Sequence, residues 1–184
     1  MIAPMLHRDD YLAMDDPNLL THCEVHLYKA SGPGGQHRNK VSSAVRLHLR
    51  ATGLSATAAE SRSQHENKRR ALRRLRAKLA CRLRRAIPPD APGPPAVVAE
   101  CILPARGAPA GAPGRIQAGR RDPRFWRVAA FLLDVLDGAD GRVGPAARRL
   151  GVTTGSLTAL WRSDRLLLAA VQELRKRHGH HPLR

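Results

Sequence analysis

A proline-rich stretch in the middle of the chain limits the possible fold more than any other feature. Between 88 and 123 proline alternates with glycine and alanine, with no amphipathic period. Such a stretch buries too little apolar surface to offset the entropy of ordering it. It leaves a short region on either side, so we expect two small cores rather than one large one. Aromatic residues are only 3% of the chain, and Leu, Val and Ala must therefore fill both cores.

Composition thus predicts three regions. We expect a domain of α+β class over 1–87, a Pro/Ala/Gly-rich linker over 88–121, and a helical, helix-turn-helix-like module with a basic tail over 122–184. Within the linker, the apolar run Val97–Leu103 is a candidate for docking on another part of the protein.

Two periodicities define the first region. Apolar residues alternate with polar ones over 23–28 and 43–49, which predicts two strands. Thr52-Gly53 then turns the chain, and Leu54–Ala58 is a candidate for a third strand. Leucines then recur every three or four residues from Gln64 to Ala86, which predicts a long helix. A short helix should precede the strands, with Asp16 as N-cap and Pro17 at its first position. The expected fold is a small sheet covered by one long basic helix.

The third region has helical periodicity throughout. We expect helices from Asp122 to Gly138 and from Asp164 to His178, and a helix-turn-helix over Ala146–Trp161. Two interpretations of this helix-turn-helix stay open: it binds nucleic acid, or it forms part of a packed bundle. Trp161 fits a core position. The nucleic-acid candidates are Thr153, Thr154, Ser156 and Arg162. The bundle core would be Leu150, Val152, Leu157 and Leu160.

The charge balance points to a polyanionic partner. Lys and Arg number 32 against 15 acids, a formal net charge of +17, and nucleic acid is the leading partner for so basic a chain. Glu66 is almost the only acid on the predicted long helix, so we expect this helix to bind RNA; an ordinary solvated face is the alternative. The candidate RNA-binding residues of this helix and of the C-terminal helix are Arg62, Lys68, Arg69, Arg70, Arg73, Arg175, Lys176 and Arg177.

Other classes are disfavoured. The first ten residues lack the apolar stretch of a signal peptide, and the run Val128–Leu136 is far shorter than the roughly 20 residues of a membrane span. Cys23, Cys81 and Cys101 are widely spaced, which predicts reduced thiols rather than disulfides or a zinc site. We expect a cytoplasmic monomer without metal, cofactor or membrane partner.

The segment Ser31–Lys40 carries the candidate chemistry. Gly34 and Gly35 permit backbone angles closed to other residues, so main-chain N–H groups can approach a ligand. Gln36 adds a donor and an acceptor without charge. Such a loop can place water and stabilise an oxyanion without covalent catalysis, although the tripeptide alone also fits a plain loop. The neighbouring candidates for RNA contact are His37, Arg38 and Lys40.

Several short blocks together resemble the catalytic domain of class I peptide chain release factors. The blocks are Gly34-Gly35-Gln36-His37, Asn39-Lys40, Ser43-Ala44-Val45-Arg46, Thr52-Gly53, Arg62-Ser63-Gln64-His65 and Asn67-Lys68. They agree with the family in order and spacing. Two departures, Pro33 in place of alanine and Arg38 in place of valine, remove no required group.

The resemblance implies hydrolysis of the ester that links a nascent peptide to tRNA. Gly34, Gly35 and Gln36 would be catalytic, with the Gln36 N–H stabilising charge and its side chain helping to place water. The implied partners are the ribosome, through large-subunit rRNA, and peptidyl-tRNA, with a glutamine methyltransferase acting on Gln36 as a further candidate.

The resemblance also bears on codon reading. Relatives that read stop codons carry a recognition domain for which we expect no room in this chain. A codon-independent rescue hydrolase is therefore the leading hypothesis. The alternatives are a non-enzymatic ribosome-associated protein and a DNA-binding helix-turn-helix regulator.

Overall fold

The computed structural model describes residues 6–29, 42–88, 91–104, 107, 109 and 111–183. The chain forms two compact units, Met1–Leu79 and Ala80–Arg184. The fold is mixed α+β, as predicted. The division between the units falls inside the long helix, whereas composition predicted domain limits at 87 and 121.

Three antiparallel strands form the sheet of the first unit, in the order β1 (Cys23–Tyr28), β2 (Ala44–Leu49) and β3 (Leu54–Ala58). All three were predicted. The register pairs Val25 with Leu47 and Leu47 with Ala56, so these side chains share one face of the sheet.

One long helix covers that apolar face. This helix is α3 (Gln64–Arg82). It is preceded by α1 (Arg8–Ala13), which the sequence did not predict, and by α2 (Asp16–Thr21). Leu72, Leu75 and Leu79 of α3 are fully buried, as is Leu47 of the sheet. Edge strand β1 is less well covered, because Val25 and Leu27 keep 42% and 48% of their surface exposed.

Three helix ends differ from the sequence expectation. The helix expected from Asp122 begins at Phe125, because the Asp122 carboxylate accepts from the Arg124 N–H in a turn before the helix. The N-cap of α2 is Asp15, whose carboxylate accepts from the Asn18 N–H, so Asp16 is already inside the helix. Helix α3 was expected to reach Ala86 but ends at Arg82. The Arg85 N–H donates instead to the buried Asp134 carboxylate, 3.1 Å away, and this tertiary bond draws the backbone out of the helix.

The second unit is mainly helical. Its elements are α4 (Ala96–Ala99), β4 (Ile102–Leu103), β5 (Arg115–Ile116), α5 (Phe125–Gly138), α6 (Val143–Leu150), α7 (Thr154–Arg162) and α8 (Arg165–Arg177). Phe125, Leu132, Leu157 and Trp161 are fully buried at its centre. The expectation that Trp161 lies in the core is confirmed.

The proline-rich segment contributes to this unit rather than merely connecting two others. Val98 and Cys101 are buried in the same core as the helices. The short strands β4 and β5 pair antiparallel, and Gly114 bonds across to Gly151 and Thr153. The described parts of 91–118 therefore differ from the expected linker, because the apolar run Val97–Leu103 docks on the helical core.

Within the residues that the structure describes, no helix is long and apolar enough to cross a bilayer.

Candidate functional site

The glycine–glutamine motif occupies the connection between two paired strands. Tyr28, the last residue of β1, lies opposite Ala44, the first residue of β2. Residues 29–43 therefore link these two strands along the chain. The candidate residues in that connection lie outside the described residues; they are Gly34, Gly35, Gln36, His37, Arg38 and Lys40.

A buried asparagine fixes the backbone where this connection enters β2. The Asn67 side chain, on α3, has no exposed surface. Its amide nitrogen donates to the carbonyl oxygens of Ser43, at 2.7 Å, and Ser61, at 2.8 Å. Its amide oxygen accepts from the Ser61 N–H at 3.0 Å. Asn67 thus ties the first turn of α3 to the end of the candidate loop and to the segment between β3 and α3.

This arrangement was not predicted. The sequence marked Asn67 only as part of a resemblance block, with no role of its own. The available signal was the spacing of Asn67, which lies four residues before Ala71 and eight before Leu75. This spacing places the polar side chain on the buried side of the helix. A buried side-chain amide is normally hydrogen-bonded. The sequence alone does not identify the partners of Asn67.

Three arginines of α3 are bound to carboxylates. Arg70 meets Glu66 and Arg74 meets Glu60, each at 2.6 Å, and Arg76 binds Asp16. The Arg74 side chain lowers the pKa of the Glu60 carboxyl through its hydrogen bond, and Arg70 lowers the pKa of Glu66 in the same way. Arg74 also donates to the Thr57 carbonyl, which protects the outer edge of β3. These three side chains therefore stabilise the domain surface.

Several other basic residues of α3 face solvent. His65, Arg69 and Arg73 are exposed at intervals of four residues and form one line along the helix, here called the α3 stripe. Arg62 is exposed just before the helix and Lys68 is half-buried beside the stripe. In the described parts of the chain, none of these side chains lies within 4.0 Å of a carboxylate. Among the predicted RNA-binding residues of this unit that lie within 42–79, Arg70 is the one with an acidic partner.

The sequence comparisons bear on the first unit. Residues 20–89 match the family model of the RF-1 domain. The resemblance of this region to class I peptide chain release factors is therefore confirmed. Peptide chain release factor 1 of Leptothrix cholodnii is 53% identical over 60 residues, which are 33% of this chain and 17% of the relative. Peptide chain release factor 2 of Sulfurovum sp. is 37% identical over 79 residues, 43% of this chain and 21% of the relative.

The matches are local. This chain spans about a sixth to a fifth of the length of these curated relatives, which is 17% and 21% in the two cases above. Within the RF-1 domain the match includes the glycine–glutamine motif, the three strands, Asn67 and the α3 stripe. Most of the unit Ala80–Arg184 lies beyond it.

Outside the RF-1 domain, the predicted C-terminal cations separate into two kinds. The Arg175 guanidinium is turned inward and donates to the carbonyls of Gly141, at 2.6 Å, and His181, at 2.9 Å. Lys176 and Arg177 are exposed at the end of α8. Arg175 thus holds the C-terminal segment against the unit, and its neighbours face solvent.

The helix-turn-helix predicted downstream of the RF-1 domain is present as α6, a turn and α7. Gly151 ends α6 in the left-handed region with φ 63°, and the Thr153 hydroxyl accepts from the Ser156 N–H as N-cap of α7. The Ser156 hydroxyl accepts from the Ile116 N–H at 2.7 Å. The hydroxyls of Thr153 and Ser156 are thus engaged inside the unit, whereas Thr154 and Arg162 are exposed. The proposed bundle core of Leu150, Val152, Leu157 and Leu160 is buried.

Proposed function

We propose that this chain is a codon-independent peptidyl-tRNA hydrolase that releases nascent peptides from stalled ribosomes. The observation that carries the proposal is the position of Gly34-Gly35-Gln36 inside the release-factor catalytic domain, between two strands that pair to the last residue. Codon independence rests on the sequence expectation alone, and the experiment below therefore tests it separately.

The proposed reaction needs no covalent intermediate. A water oxygen attacks the carbonyl carbon of the ester, the bond to the ribose oxygen breaks, and that oxygen takes a proton. Gly34 and Gly35 let the backbone approach the ester, and the Gln36 N–H donates to the oxyanion while its side chain holds the water. Losing one such donor typically costs about 3–4 kcal/mol in the transition state.

The proposed partners follow from the same assignment. They are large-subunit rRNA, peptidyl-tRNA and a methyltransferase acting on Gln36, and the protein would act in the cytoplasm as a monomer. Two groups of exposed cations support an RNA partner, the α3 stripe in the first unit and Lys176 with Arg177 in the second. Exposed cations bind phosphates with little desolvation and release counterions when they do so.

The test is release of labelled peptide from purified ribosomes stalled on mRNA truncated without a stop codon. Wild type is compared with Gln36→Ala and Gln36→Glu, with a stop-codon complex as the control for codon dependence. We expect release by wild type on both complexes at similar rates. Gln36→Ala keeps the backbone N–H that donates to the oxyanion but lacks the side chain that holds the water, so we expect it to lose about 100-fold or more.

Each part of the proposal can be disproved separately. Release only from the stop-codon complex would disprove codon independence but keep the hydrolase. Tight ribosome binding by both proteins with no release from either would disprove the hydrolase and support the non-enzymatic alternative.

A further inference from the structure

The face of the sheet opposite α3 is open and polar. Because side chains alternate along a strand, the residues between the buried ones point away from the helix. The register places His26, Arg46 and Thr57 in one row across the three strands, and Glu24, His48 and Ser55 in the next. Tyr28 follows at the end of β1, next to the connection that carries the glycine–glutamine motif.

This open face forms a shallow depression of about 400 Å³ lined by His26, Tyr28, Arg46, His48 and Ser55. The Arg46 guanidinium carbon lies 5.9 Å from the centre of the Tyr28 ring, so the cation and the aromatic ring are neighbours. His48 Nδ1 and Ser55 Oγ form a hydrogen bond of 2.9 Å. The depression therefore presents a flat ring, a guanidinium and hydroxyl and imidazole groups side by side.

The charges on this face favour an anionic ligand. Arg46 is exposed and lies within 4.0 Å of no carboxylate in the part of the chain that the structure describes. Glu24 contributes a negative charge, but its carboxylate lies 3.7 Å from His26 Nε2. The remaining polar groups, on His48, Ser55 and Thr57, carry hydrogen-bonding atoms without negative charge.

We propose that this face binds a single-stranded segment of RNA, with a base stacked on Tyr28 and a phosphate on Arg46. An exposed aromatic ring on a sheet stacks unpaired bases of any sequence, and the planar guanidinium matches a phosphate. An acidic peptide would satisfy Arg46 but gain little from the ring. The pairing of ring and cation in one depression therefore favours RNA over an acidic protein.

This surface is distinct from the α3 stripe, because the two lie on opposite sides of the sheet. It goes beyond the proposed hydrolase activity, since it concerns RNA binding without catalysis. Free RNA tests it in the absence of ribosomes, so its failure and a failure of the hydrolase proposal are separately visible. Gln36→Ala should bind such RNA as wild type does.

The experiment measures binding of the full chain to a fluorescein-labelled twelve-nucleotide oligouridine by fluorescence anisotropy. We expect Tyr28→Ala to weaken binding by about tenfold and Tyr28→Phe by less than about twofold, since the phenyl ring still stacks. Arg46→Ala should weaken binding by about five- to tenfold. The control Arg165→Ala removes one exposed charge from α8 and should change affinity by less than about twofold.

A second measurement does not depend on how the variants fold. In wild-type protein, an oligonucleotide carrying 5-iodouridine should cross-link on irradiation to the peptide that contains Tyr28. Absence of that cross-link would overturn the proposal. So would wild-type affinity in both Tyr28→Ala and Arg46→Ala, or equal competition by poly-glutamate, which would identify the face as a site for acidic protein.

Discussion

Two fully buried polar side chains, one in each unit, differ in their surroundings. In the first unit, the amide nitrogen and the amide oxygen of Asn67 both bond to backbone groups, at 2.7 to 3.0 Å. The indole nitrogen of Trp161, in the second unit, has no hydrogen-bond partner among the described residues. A large ring gains enough from apolar burial to offset one unpaired N–H, whereas an amide does not. Burial of Asn67 therefore indicates that it positions the backbone, and burial of Trp161 that it fills space.

The largest effect on folding stability is expected at Asn67. Asn67→Ala removes three hydrogen bonds and leaves two backbone carbonyls and the Ser61 N–H without them, so we expect a loss of about 2–4 kcal/mol in unfolding free energy. If Asn67 positions the loop, the release rate at saturating protein should also fall by about tenfold or more, at a temperature well below unfolding. The measurements are chemical denaturation, single-turnover peptide release and ribosome affinity.

Arg76→Ala is the matched control for Asn67→Ala. Arg76 also lies on α3 and holds the chain by bonds to Asp16 and to the Met14 carbonyl, away from the candidate loop. It should lower stability but leave the release rate of the folded protein unchanged. Trp161→Phe should cost about 1–2 kcal/mol through lost packing alone. Equal release rates for Asn67→Ala and Arg76→Ala would show that Asn67 has only a structural role.

The cations of α3 and α8 likewise divide into those that are bound within the chain and those that face solvent. Arg69 and Arg73 face solvent, whereas Arg74 binds Glu60 and Arg175 binds two carbonyls. We expect Arg69→Ala with Arg73→Ala to reduce the slope of log affinity against log salt by about 1.4–1.8, because each lost phosphate contact contributes about 0.7–0.9. The measurement is affinity for purified large ribosomal subunits at several KCl concentrations.

Two variants test whether this effect is specific to the α3 stripe. Arg74→Ala and Arg175→Ala each remove a cation that is already bound within the chain, so each should change the salt slope by less than about 0.3. An equal loss in all variants would mean that total charge, rather than the position of the free cations, determines ribosome affinity.

The sequence predicted the regular elements of the first unit well. Strand β3 was expected over Leu54–Ala58 and is observed there, because strict alternation leaves only one burial pattern. The start of α3 at Gln64 was also predicted, but its end was not. That end depends on the distant Asp134 carboxylate, and a contact between residues so far apart leaves no local signal.

The second unit was predicted less completely. Its four main helices, α5 to α8, follow their apolar period, and the left-handed Gly151 ends α6 at the turn before α7. The β4–β5 pair was missed because strands of two residues are too short to show a period, whereas the apolar run Val97–Leu103 was recognised as a docking candidate and contributes Val98 and Cys101 to the core. In the candidate site, the glycine–glutamine motif and the basic residues of α3 are visible in the sequence. The Asn67 bonds and the open sheet face are visible only in the structure, because they bring together residues that are far apart along the chain.

The smallest predicted effect concerns one exposed ion pair in each unit. Arg74 lowers the pKa of Glu60 through its hydrogen bond, and Arg124 lowers that of Asp122 in the same way. A carboxyl whose pKa is lower in the folded state contributes stability above its unfolded pKa and loses it as the pH falls through the folded pKa. We therefore expect Arg74→Ala and Arg124→Ala to melt only slightly below wild type at pH 7, because exposed ion pairs contribute little to stability.

The pH dependence distinguishes the ion pairs from the other bonds these arginines make. As the pH falls below the range in which the carboxylates ionise, the difference in melting temperature between wild type and each variant should vanish if the ion pair alone is responsible. For Arg74, a difference that persists in acid would instead come from its bond to the Thr57 carbonyl at the edge of β3. Arg124→Ala lacks that complication, because the Arg124 guanidinium binds two acids, Asp122 and Glu100. Persistence in acid for Arg124→Ala would therefore contradict the assignment of the stabilisation to its carboxylate partners.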